Sequence, residues 1–524
     1  MTIFGFGPRR FYRSDNLQQP DLHVGPEVRA SHHDCRASLY CAPDAIWVED
    51  GHATTRVHRW ARQWTQNQTR DVLRMSDGPG QQAIVVGGSI AGLITARVLS
   101  DYFEQVLIIE RDEITDRPVI HKSVPQGNHL HALLHGGLQA LSLLYPAFTE
   151  DLRQRGATQI TVGRDIVWYL PDGKAYSPTG SVRAPFDTGL EAYCASRGLI
   201  EFVIRKRTTA IPNIRFESGS AVRELIYRDS RVRGVRCSDA RSIEAELVID
   251  ATGRGHRARR WLASIGFPPP AETEIGLDTA YSTANFRKPD SFAGEPIIFI
   301  TGPAPQFTRR GYVITIENDT MLVSLIGRFG DFPPTDKQGF CAFADELHSD
   351  LAHRIITEAE QLSPIAHHRF VSSVQRHYEQ MNPFPEGFLV IGDALCTFNP
   401  IYAQGMSAAA KQAKILQDIL SEFAEQSRAV SGIASAFFPK AAEFNSTPWH
   451  LAAVFDFAFP QTRGTRPPGT DERARYLTTL DALSSDDAEI RHLMTEVFHL
   501  LQPLSVLQQE PLRSRVLSRI ARGP

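Results

Sequence analysis

A glycine-rich turn between an apolar run and a helix-like segment constrains this chain more than any other feature. The run AIVVGG at 83–88 is typical of a strand buried on both faces, and IAGLITARVLSDYF at 90–103 has the apolar spacing of a helix. The apolar run VLIIE at 106–110 follows directly. A strand, a helix and a strand in this order predict a βαβ unit, and therefore an α/β fold with a parallel sheet.

The turn GGSIAG at 87–92 is close to the fingerprint of a dinucleotide-binding fold. Gly87 permits a tight turn, the small Ser89 lets the backbone approach a pyrophosphate, and Gly92 lets helix and strand pack closely. The phosphates would then lie at a helix N-terminus, where free N–H groups favour anions. Glu110, 23 residues after Gly87, is placed to accept hydrogen bonds from an adenosine ribose, which argues against a 2′-phosphate there.

Two segments near residue 400 bear on which dinucleotide is bound. GFLVIGDA at 387–394 is another short apolar strand, and its Asp393 can bind a polyol hydroxyl. NPIYAQGM at 399–406 leads into a long helix whose start at Gly405 and Met406 can offer N–H groups to the pyrimidine end of a flavin. Taken singly, an exposed Asp and an ordinary helix cap would give the same residues.

The middle and the end of the chain have a different character. PIIFIT at 296–301 and the pair GYVITIE and TMLVSLIG, joined at Asn318 and Asp319, predict antiparallel sheet with a tight hairpin. A helical, partly amphipathic tail begins near residue 446. Its apolar stripes indicate core packing in the first place, with membrane-facing or substrate-channel helices as the other interpretation.

Composition narrows the class of protein. The 524 residues carry a formal net charge of −3, so no whole-protein field favours nucleic acid. No apolar run reaches the roughly 18 residues of a membrane-spanning helix. The six cysteines form no CxxC pair, and the N-terminus lacks the apolar segment of a secretory signal. We therefore expect a cytoplasmic protein that does not bind nucleic acid, and peripheral contact with a membrane stays open.

Residues 1–74 show no sustained period of 2 or 3.6 and predict no fold. Met75 is followed by SDGPGQQ and then by the first strand, as in a protein that begins with a short polar leader. The sequence leaves three interpretations open: Met75 as the true initiator, a loosely ordered extension over 1–74, and a small N-terminal subdomain.

Four ordered motifs together resemble a known family. They are GGSIAGL with Glu110-Arg111, SRGLIEFVIR at 196–205, VIDATGRG at 248–255 and GDALCTFNPIYAQGMSAA at 392–409. Through them the chain resembles the FAD-dependent aromatic-hydroxylase, or group A flavoprotein monooxygenase, superfamily. SVPQGNHLHALL at 123–134 and PWHLAAVFDFAFPQTRGTRPP at 448–468 are similar to a bacterial branch of epoxidases and hydroxylases that act on lipophilic secondary metabolites.

The resemblance implies a cofactor site for FAD. Its residues are Gly87, Gly88, Ser89, Ala91, Gly92, Glu110, Arg111, Arg197, Val222, Asp393, Pro400, Gly405 and Met406. The glycine-rich turn would face the pyrophosphate, and Glu110 would bind the adenosine ribose. Arg111 would lie on the adenine side, and Val222 would touch adenine through its backbone.

The remaining positions of that site would hold the flavin half of the cofactor. Arg197 would contact the pyrophosphate or the isoalloxazine ring, Asp393 would bind the ribityl chain, and 400–406 would line the ring. Two positions depart from the pattern, because Ser89 and Ala403 stand where glycine is frequent. Both side chains are small, so we expect them to change FAD affinity more than the chemistry.

The fold implied by the resemblance is a GR2-type FAD-binding Rossmann-like domain with an inserted mixed β-sheet substrate domain and a helical C-terminal region. The predicted boundaries are 75–270 with 385–430 for the FAD-binding domain, 271–384 for the substrate sheet and 431–524 for the helical region. In this family NADH or NADPH reduces the flavin, which reacts with O2 to form a C4a-hydroperoxide that transfers one oxygen atom.

We therefore expect an FAD-dependent monooxygenase that hydroxylates or epoxidises a small lipophilic substrate: a polyketide, a terpenoid, or a prenylated aromatic or quinolone metabolite. The nicotinamide cofactor would bind transiently, or a separate flavin reductase would act as partner. A flavin halogenase is one alternative, although none of the six Trp residues are two apart, as its usual Trp-x-Trp-x-Ile-Pro motif requires. An FAD-dependent isoprenoid double-bond reductase and a non-catalytic flavin-binding protein are the others.

Two clusters of side chains remain. His121, His129, His131 and His135 lack the Cys or acidic partners of a metal site, so we expect no bound metal. In a strand, His129 and His131 would share one face; they are the candidates for a catalytic or cofactor-facing role, with structural hydrogen bonding as the alternative. The arginines of 254–260 would meet phosphates of the nicotinamide cofactor or form a solvated helix face.

Overall fold

The computed structural model describes residues 80–122, 124–177, 180–255, 257–290 and 292–522. The interpretations of residues 1–74 lie outside this part of the chain. Its strands are β1 (Gly80–Val86), β2 (Phe103–Ile109), β3 (Thr158–Thr161), β4 (Ile166–Leu170), β5 (Gly173–Ala175), β6 (Glu191–Cys194), β7 (Ile214–Glu217), β8 (Val222–Arg228), β9 (Arg231–Cys237), β10 (Ser242–Glu244), β11 (Leu247–Asp250), β12 (Glu272–Arg287), β13 (Ile297–Ile300), β14 (Arg310–Ile316), β15 (Thr320–Arg328), β16 (Ala366–Arg376), β17 (Phe388–Val390), β18 (Cys396–Thr397) and β19 (Arg463–Gly464).

The α-helices are α1 (Ile90–Leu99), α2 (His135–Leu144), α3 (Phe148–Gln154), α4 (Arg197–Thr209), α5 (Arg257–Ser264), α6 (Lys337–Asp345), α7 (Leu351–Glu358), α8 (Gly405–Glu425), α9 (Ile433–Asp456), α10 (Thr470–Ser484), α11 (Ala488–Phe498) and α12 (Leu512–Ala521). Short 3₁₀ turns at Pro125–Asn128, Gly392–Ala394 and Pro400–Tyr402 shape the site described below.

A five-stranded parallel sheet has the order β17, β11, β1, β2, β7. Its central strands are buried on both faces, which is why they read as unbroken apolar runs. β1, α1 and β2 form the predicted βαβ unit. The carboxyl ends of the strands bring Gly87, Glu110 and Ala251 to one edge, which is where open α/β sheets bind ligands.

The first helix is shorter than its apolar pattern predicts. α1 ends at Leu99, and Phe103 already belongs to β2, where it pairs with Gly80 of β1. The N–H groups of Asp101 and Tyr102 donate to the carbonyls of Val98 and Leu99, so a turn closes the helix. After Leu99, pairing of β2 with β1 therefore determines the structure, although the helical apolar pattern continues to Phe103.

The largest sheet runs β18, β16, β12, β15, β14, β13, β4, β5, with β19 paired to β12. β13 and β4 are parallel and the other pairs are antiparallel. β14 and β15 are joined by the three residues 317–319, in which Asn318 and Asp319 have left-handed φ angles of 60° and 49°, so the predicted tight hairpin is confirmed. β4 and β5 come from before residue 271, and the proposed domain boundaries stay predictions.

The C-terminal helices complete the fold. α9 begins at Ile433, earlier than the predicted start near 446, and its Trp449 and Ala453 share an apolar core with Tyr281 of the largest sheet. Val497 is fully buried in a separate core formed with α10 and α12, which favours the core-packing interpretation of the apolar tail. None of the helices in the described ranges is long and apolar enough to cross a membrane.

Candidate active site

A cavity of about 530 Å³ connects the carboxyl edge of the parallel sheet with the face of the largest sheet. The predicted cofactor residues in its walls are Gly87, Ser89, Ala91, Glu110, Arg111, Arg197, Val222, Asp393, Pro400, Gly405 and Met406. Gly88 and Gly92 do not line it, because they pack behind the turn. The fold thus gathers segments from both halves of the chain around one cavity.

The glycine-rich turn is packed so closely that larger residues would not fit. Gly87 has a φ of 109°, and its N–H donates to the carbonyl of Ile109 at 2.9 Å. A Cβ atom at Gly92 would lie 1.8 Å from the carbonyl oxygen of Gly87. Backbone therefore crosses backbone here, as the fingerprint requires.

Glu110 is fixed behind this turn. The N–H of Gly88 donates to its Oε2 at 2.7 Å, and the N–H of Asp112 donates to its Oε1 at 2.9 Å. The side chain is buried. Each carboxylate oxygen can accept more than one hydrogen bond, so Glu110 keeps capacity for ribose hydroxyls.

Ser89 belongs to a buried polar network that the sequence did not reveal. Its hydroxyl donates to Glu201 Oε2 at 2.6 Å and accepts from Arg197 Nη2 at 2.9 Å. Arg197 Nη1 also donates to Glu201 at 2.9 Å, and His121 contacts the other Glu201 oxygen. Ser89 is the residue before α1, yet its side chain does not cap the helix. The first N–H groups of α1 thus stay available to an anion.

Glu201 is the charged centre of this network. It is 2% exposed, and Arg205 lies 3.7 Å from it on the next helical turn. Burial alone would raise the pKa of Glu201, but the His121 hydrogen bond, the charge of Arg197 and the Ser89 hydroxyl outweigh it and lower the pKa to about 2. The carboxylate therefore stays ionised and holds Arg197 and Ser89 together.

The adenosine side of the cavity is more open. Arg111 has a half-exposed side chain, 4.0 Å from Asp112. The carbonyl of Val222 accepts a hydrogen bond from Arg257 Nη1 at 3.2 Å. Arg257 itself lines the cavity, and burial is the first cause that lowers its pKa. This arginine of the 254–260 cluster is thus directed inward, so the cluster is not simply a solvated helix face.

The two glycine-containing motifs meet directly. A Cβ atom at Gly392, whose φ is 68°, would lie 2.8 Å from Cβ of Ala91. Asp393 follows, with a partly exposed carboxylate 3.7 Å from Nε of Arg254. That carboxylate also lies close to Gly405, at the start of α8. The arrangement brings the N-termini of α1 and α8 to the same cavity.

The loop before α8 is held by its own hydrogen bonds. The Asn399 side chain accepts from the N–H of Ile401 at 3.2 Å and starts the 3₁₀ turn. Ala403 has a φ of 56°, which is left-handed and explains why glycine is frequent at this position. Gln404 precedes α8 without capping it, and its buried Oε1 has no partner within the described chain.

Asp456 of α9 fastens this loop to the largest sheet. Its Oδ1 accepts from Asn399 Nδ2 at 2.9 Å, from the Tyr402 hydroxyl at 2.7 Å and from Arg328 Nη2 at 3.3 Å. Arg328 and Asp456 are almost completely buried. A carboxylate more than fifty residues beyond the loop therefore fixes its position.

The histidine segment is not a strand. Pro125–Asn128 form a 3₁₀ turn, and the residues that follow are irregular up to α2. His129 Nδ1 is hydrogen-bonded to the Thr283 hydroxyl at 2.7 Å, whereas His131 Nε2 donates to the carbonyl of Gln126 at 2.9 Å. Both histidines line the cavity, but the segment's turn gives them different partners.

Burial keeps these histidines neutral. It lowers the pKa of His129 to about 3, with His368 and His367 adding repulsion. It also lowers the pKa of His131 to about 3, with Arg197 as the next cause. Both can therefore donate or accept hydrogen bonds near neutral pH, but neither supplies a positive charge. Within the described ranges, no group of three or more His, Cys, Asp or Glu is arranged to hold a metal ion.

The donor set suits a flavin dinucleotide. Uncapped helix starts at Ile90 and Gly405 suit a pyrophosphate and the electron-rich end of a flavin. The buried Glu110 suits a ribose without a 2′-phosphate, and Asp393 suits a polyol chain between the two helix starts. Because Gly87 and Gly92 carry no side chain, a phosphate can come close to the backbone of the turn.

No family model matches the chain. A Mycobacterium tuberculosis protein, Rv3254, is 29% identical over 462 residues, which cover 84% of this chain and 94% of the relative. Squalene epoxidase 3 of Arabidopsis thaliana is 22% identical over 409 residues, 74% of this chain and 70% of the epoxidase.

Solved structures share the fold at low identity. A flavoprotein/dehydrogenase of Cytophaga hutchinsonii has a TM-score of 0.60 at 14% identity, over 84% of this chain and 100% of its own. The flavin-dependent brominase Bmp2 has a TM-score of 0.59 at 14% identity, over 84% of this chain and 98% of its own. PqsL of Pseudomonas aeruginosa, named as a probable FAD-dependent monooxygenase, has a TM-score of 0.52 at 13% identity, over 72% of this chain and 97% of its own.

The solved structures confirm the α/β fold class. A further relative, the 4-methyl-5-nitrocatechol 5-monooxygenase of a Burkholderia species, is 28% identical over 201 residues, 37% of this chain and 33% of its own. This relative and squalene epoxidase 3 are both named as enzymes, which agrees with the predicted resemblance to flavoprotein monooxygenases. The individual cofactor contacts and the substrate stay predictions.

Proposed function

We propose that the chain is an FAD-dependent monooxygenase that uses NADPH or NADH and O2 to hydroxylate or epoxidise a small lipophilic metabolite. One observation carries the proposal: a single cavity joins a dinucleotide-type glycine turn to the face of the largest sheet that presents Tyr281, with the apolar side chains of Leu130 and Phe398 beside it. A cofactor and an apolar substrate can therefore meet in one cavity.

In this proposal the first half of the chain holds the adenosine and pyrophosphate of FAD. The N-terminus of α1 and the packed glycine turn bind the pyrophosphate, and Glu110 binds the ribose. Arg197, held by Glu201 at 2.9 Å, adds a fixed positive charge on the same side. Arg111 and the backbone of Val222 face the adenine.

The second half holds the ribityl chain and the ring. Asp393 binds polyol hydroxyls, and Pro400, Gly405 and Met406 line the ring. Bound FAD supplies hydride acceptance from the nicotinamide cofactor and activation of O2 for transfer of one oxygen atom. The start of α8 stabilises negative charge at the pyrimidine end of the ring through its N–H groups and dipole.

The chain's own task is to exclude water and orient the substrate. Leu130, Phe398 and Met406 give the cavity apolar walls close to the loop that lines the ring. Apolar walls favour a lipophilic substrate, since burying apolar surface contributes roughly 25 cal/mol per Å². A polyketide, a terpenoid, or a prenylated aromatic or quinolone metabolite meets this requirement, and the similarity to squalene epoxidase 3 supports a lipophilic substrate.

His129 and His131 are the candidates for proton transfer or hydrogen bonding to the reacting groups. Both line the cavity and both are neutral near pH 7. Arg257 and Arg254 also line it, which supports transient binding of the nicotinamide phosphates at this edge. Delivery of reduced flavin by a separate reductase is compatible with the same site.

The proposal is tested by reconstituting the purified chain with FAD and offering squalene, a prenylated quinol and a 2-alkylquinolone. We expect one FAD per chain and substrate-stimulated NAD(P)H oxidation that consumes O2. Gly92→Ala is the matched control, because it should abolish FAD binding and turnover together. A protein that retains FAD but never couples NAD(P)H oxidation to O2 with any of these substrates would contradict the proposal.

The same assay separates the alternatives. An isoprenoid double-bond reductase would form product without O2, and a halogenase would need chloride or bromide for product formation. The fold likeness to the brominase Bmp2 makes the halide control necessary.

A further inference from the structure

Three polar groups on one wall of the cavity have no hydrogen-bond partner within the described chain. They are Nε2 of His129, the hydroxyl of Tyr281 and Nε2 of His368, and each of these atoms is buried. All three residues line the cavity. His129 and Tyr281 are only 6% and 5% exposed. Buried polar groups are nearly always paired in native proteins, so three together on one wall indicate a ligand that pairs with them.

The sheet explains why the three side chains converge. Tyr281 of β12 is paired with His368 of β16, so both side chains point to the same face. Thr283, two residues after Tyr281, points to that face as well and holds His129 by Nδ1 at 2.7 Å. The ring of His129 lies 5.9 Å from that of Tyr281 and 5.8 Å from that of His368.

His129 is held in place by a short series of side-chain hydrogen bonds. The Thr283 hydroxyl is hydrogen-bonded to the Ser324 hydroxyl at 2.7 Å, in addition to its bond with His129. Because the Thr283 hydroxyl is bonded to Nδ1, Nε2 of His129 remains for a ligand. The hydroxyl rotors can adapt, so Nε2 can serve as donor or acceptor.

The wall is neutral. Burial, together with the charges of Arg254 and His367, lowers the pKa of His368 to about 4, while burial raises the pKa of Tyr281. His129 is neutral for the same reason. Arg254, the arginine of the cavity lining whose charge acts on His368, is paired with Asp393 at 3.7 Å. A neutral oxygen therefore suits this wall better than a carboxylate.

Beneath the wall, the buried arginines of the sheet are only partly paired. Arg328 donates to Asp456 at 3.3 Å, and Arg310 donates to the Tyr312 hydroxyl at 3.5 Å, while Nε of each arginine has no partner within the described chain. Neither arginine lines the cavity. The polar groups presented to a ligand here are thus the two imidazoles and the phenol.

We propose that His129, Tyr281 and His368 form a subsite for a hydroxyl group on an otherwise apolar substrate. The inference rests on the proposed function and narrows its substrate class. A hydroxyl both donates and accepts, so it pairs with two of the three groups at once. Leu130 and Phe398 provide the apolar surface beside them. Anchoring the hydroxyl at the sheet orients the rest of the molecule toward 400–406.

The test measures equilibrium binding to the FAD-loaded protein by the change in flavin absorbance. The probes are 1-naphthol, naphthalene and 1-naphthoate, which share a ring system and differ in the polar group. We expect 1-naphthol to bind roughly 10- to 100-fold more tightly than the other two. Tyr281→Phe and His129→Phe should remove most of that preference and leave naphthalene binding nearly unchanged.

Tyr378→Phe is the matched control, because its buried hydroxyl also has no partner within the described chain but lies outside the cavity, and it should keep the preference. Flavin content and the flavin spectrum verify that each variant is folded. If His129→Phe does not fold, Tyr281→Phe decides alone, since it removes a single oxygen atom. Equal binding of the three probes, tighter binding of naphthoate, or a preference that survives both variants would overturn the inference.

Failure of the subsite and failure of the proposed function are distinguishable. Binding requires no turnover. A hydroxyl preference without oxygen transfer would therefore contradict the proposed function and support the subsite. Oxygen transfer without a hydroxyl preference would support the proposed function and contradict the subsite.

Discussion

Glu201→Gln tests the network that explains the serine in the glycine-rich turn. The substitution keeps the shape of the side chain and removes its charge. Ser89 and Arg197 then lose the carboxylate that holds them at 2.6 and 2.9 Å. Arg197 and Arg205, which are 8% and 6% exposed, are left buried without a compensating charge.

The size of the effect follows from the same geometry. Lowering the pKa of a buried carboxyl from 4.5 to about 2 corresponds to roughly 3 kcal/mol in favour of the folded state. Removing one partner of a buried ion pair costs a similar amount, about 3 to 5 kcal/mol. We therefore expect Glu201→Gln to lower the free energy of unfolding by roughly 3 kcal/mol, and to weaken FAD binding because Arg197 is no longer fixed.

The pH dependence has a definite sign. Because the folded-state pKa of Glu201 is lowered, its stabilisation is present above pH 4.5 and is lost as the pH falls toward about 2. The stability difference between wild type and Glu201→Gln should thus be constant from pH 8 to about 5 and shrink below that range.

The assay is thermal and denaturant unfolding of the FAD-free protein, together with FAD titration. Glu104→Gln is the control, because Glu104 is an exposed residue of β2 and should change stability by less than about 0.5 kcal/mol. Combining Glu201→Gln with Ser89→Ala should be less destabilising than the sum of the two, since both belong to one network. Wild-type stability and wild-type FAD affinity in Glu201→Gln would refute the reasoning.

Three further predictions concern the cofactor and the histidines. Asp393→Ala should raise the FAD dissociation constant by about 10- to 100-fold, because a charge-assisted hydrogen bond is lost and Arg254 is left unpaired; flavin fluorescence titration measures this, and unchanged affinity would exclude Asp393 from the site. Gly92→Ala should abolish FAD retention, since its Cβ would lie 1.8 Å from the oxygen of Gly87; a variant purified with full flavin content would contradict the packing argument. Burial lowers the pKa of His129 to about 3, so the folded state loses stability as the pH falls below 6.5, by roughly 2 kcal/mol at pH 5. The free energy of unfolding of His129→Phe should therefore depend less on pH than that of wild type. Equal pH dependence of the two proteins would count against a buried neutral imidazole.

Local patterns predicted the parts of the fold that depend on local chemistry. The glycine turn, the strand before it and the helix after it all lie within one short segment, and their packing follows from residue size. The hairpin at Asn318 and Asp319 was equally visible, because both residues tolerate the left-handed conformation that the turn needs.

Contacts between distant segments were not visible. Ser89 and Glu201 are 112 residues apart, so the sequence around the turn does not predict that a carboxylate lies behind it. The spacing of Arg197 and Glu201 by four residues on one helix was the available signal. Asp456 gives no such signal, because its three partners come from two other parts of the chain.

The histidine segment shows how a turn that was not predicted from the sequence changes an interpretation. Treated as a strand, it would place His129 and His131 on one face. The Pro125–Asn128 turn instead gives His129 a partner in the largest sheet and His131 a partner in the turn itself. Both reach the cavity, but only His129 joins the hydrogen-bonding wall with Tyr281 and His368.

Oxygen-isotope labelling tests the central claim most directly. The FAD-loaded protein, NAD(P)H and a hydroxylated lipophilic substrate would be incubated under ¹⁸O₂, and the product analysed by mass spectrometry. A monooxygenase should give a product that carries one ¹⁸O atom, with no label when ¹⁶O₂ and H₂¹⁸O are used. A product formed without O2, a halogenated product, or label derived from water would contradict it.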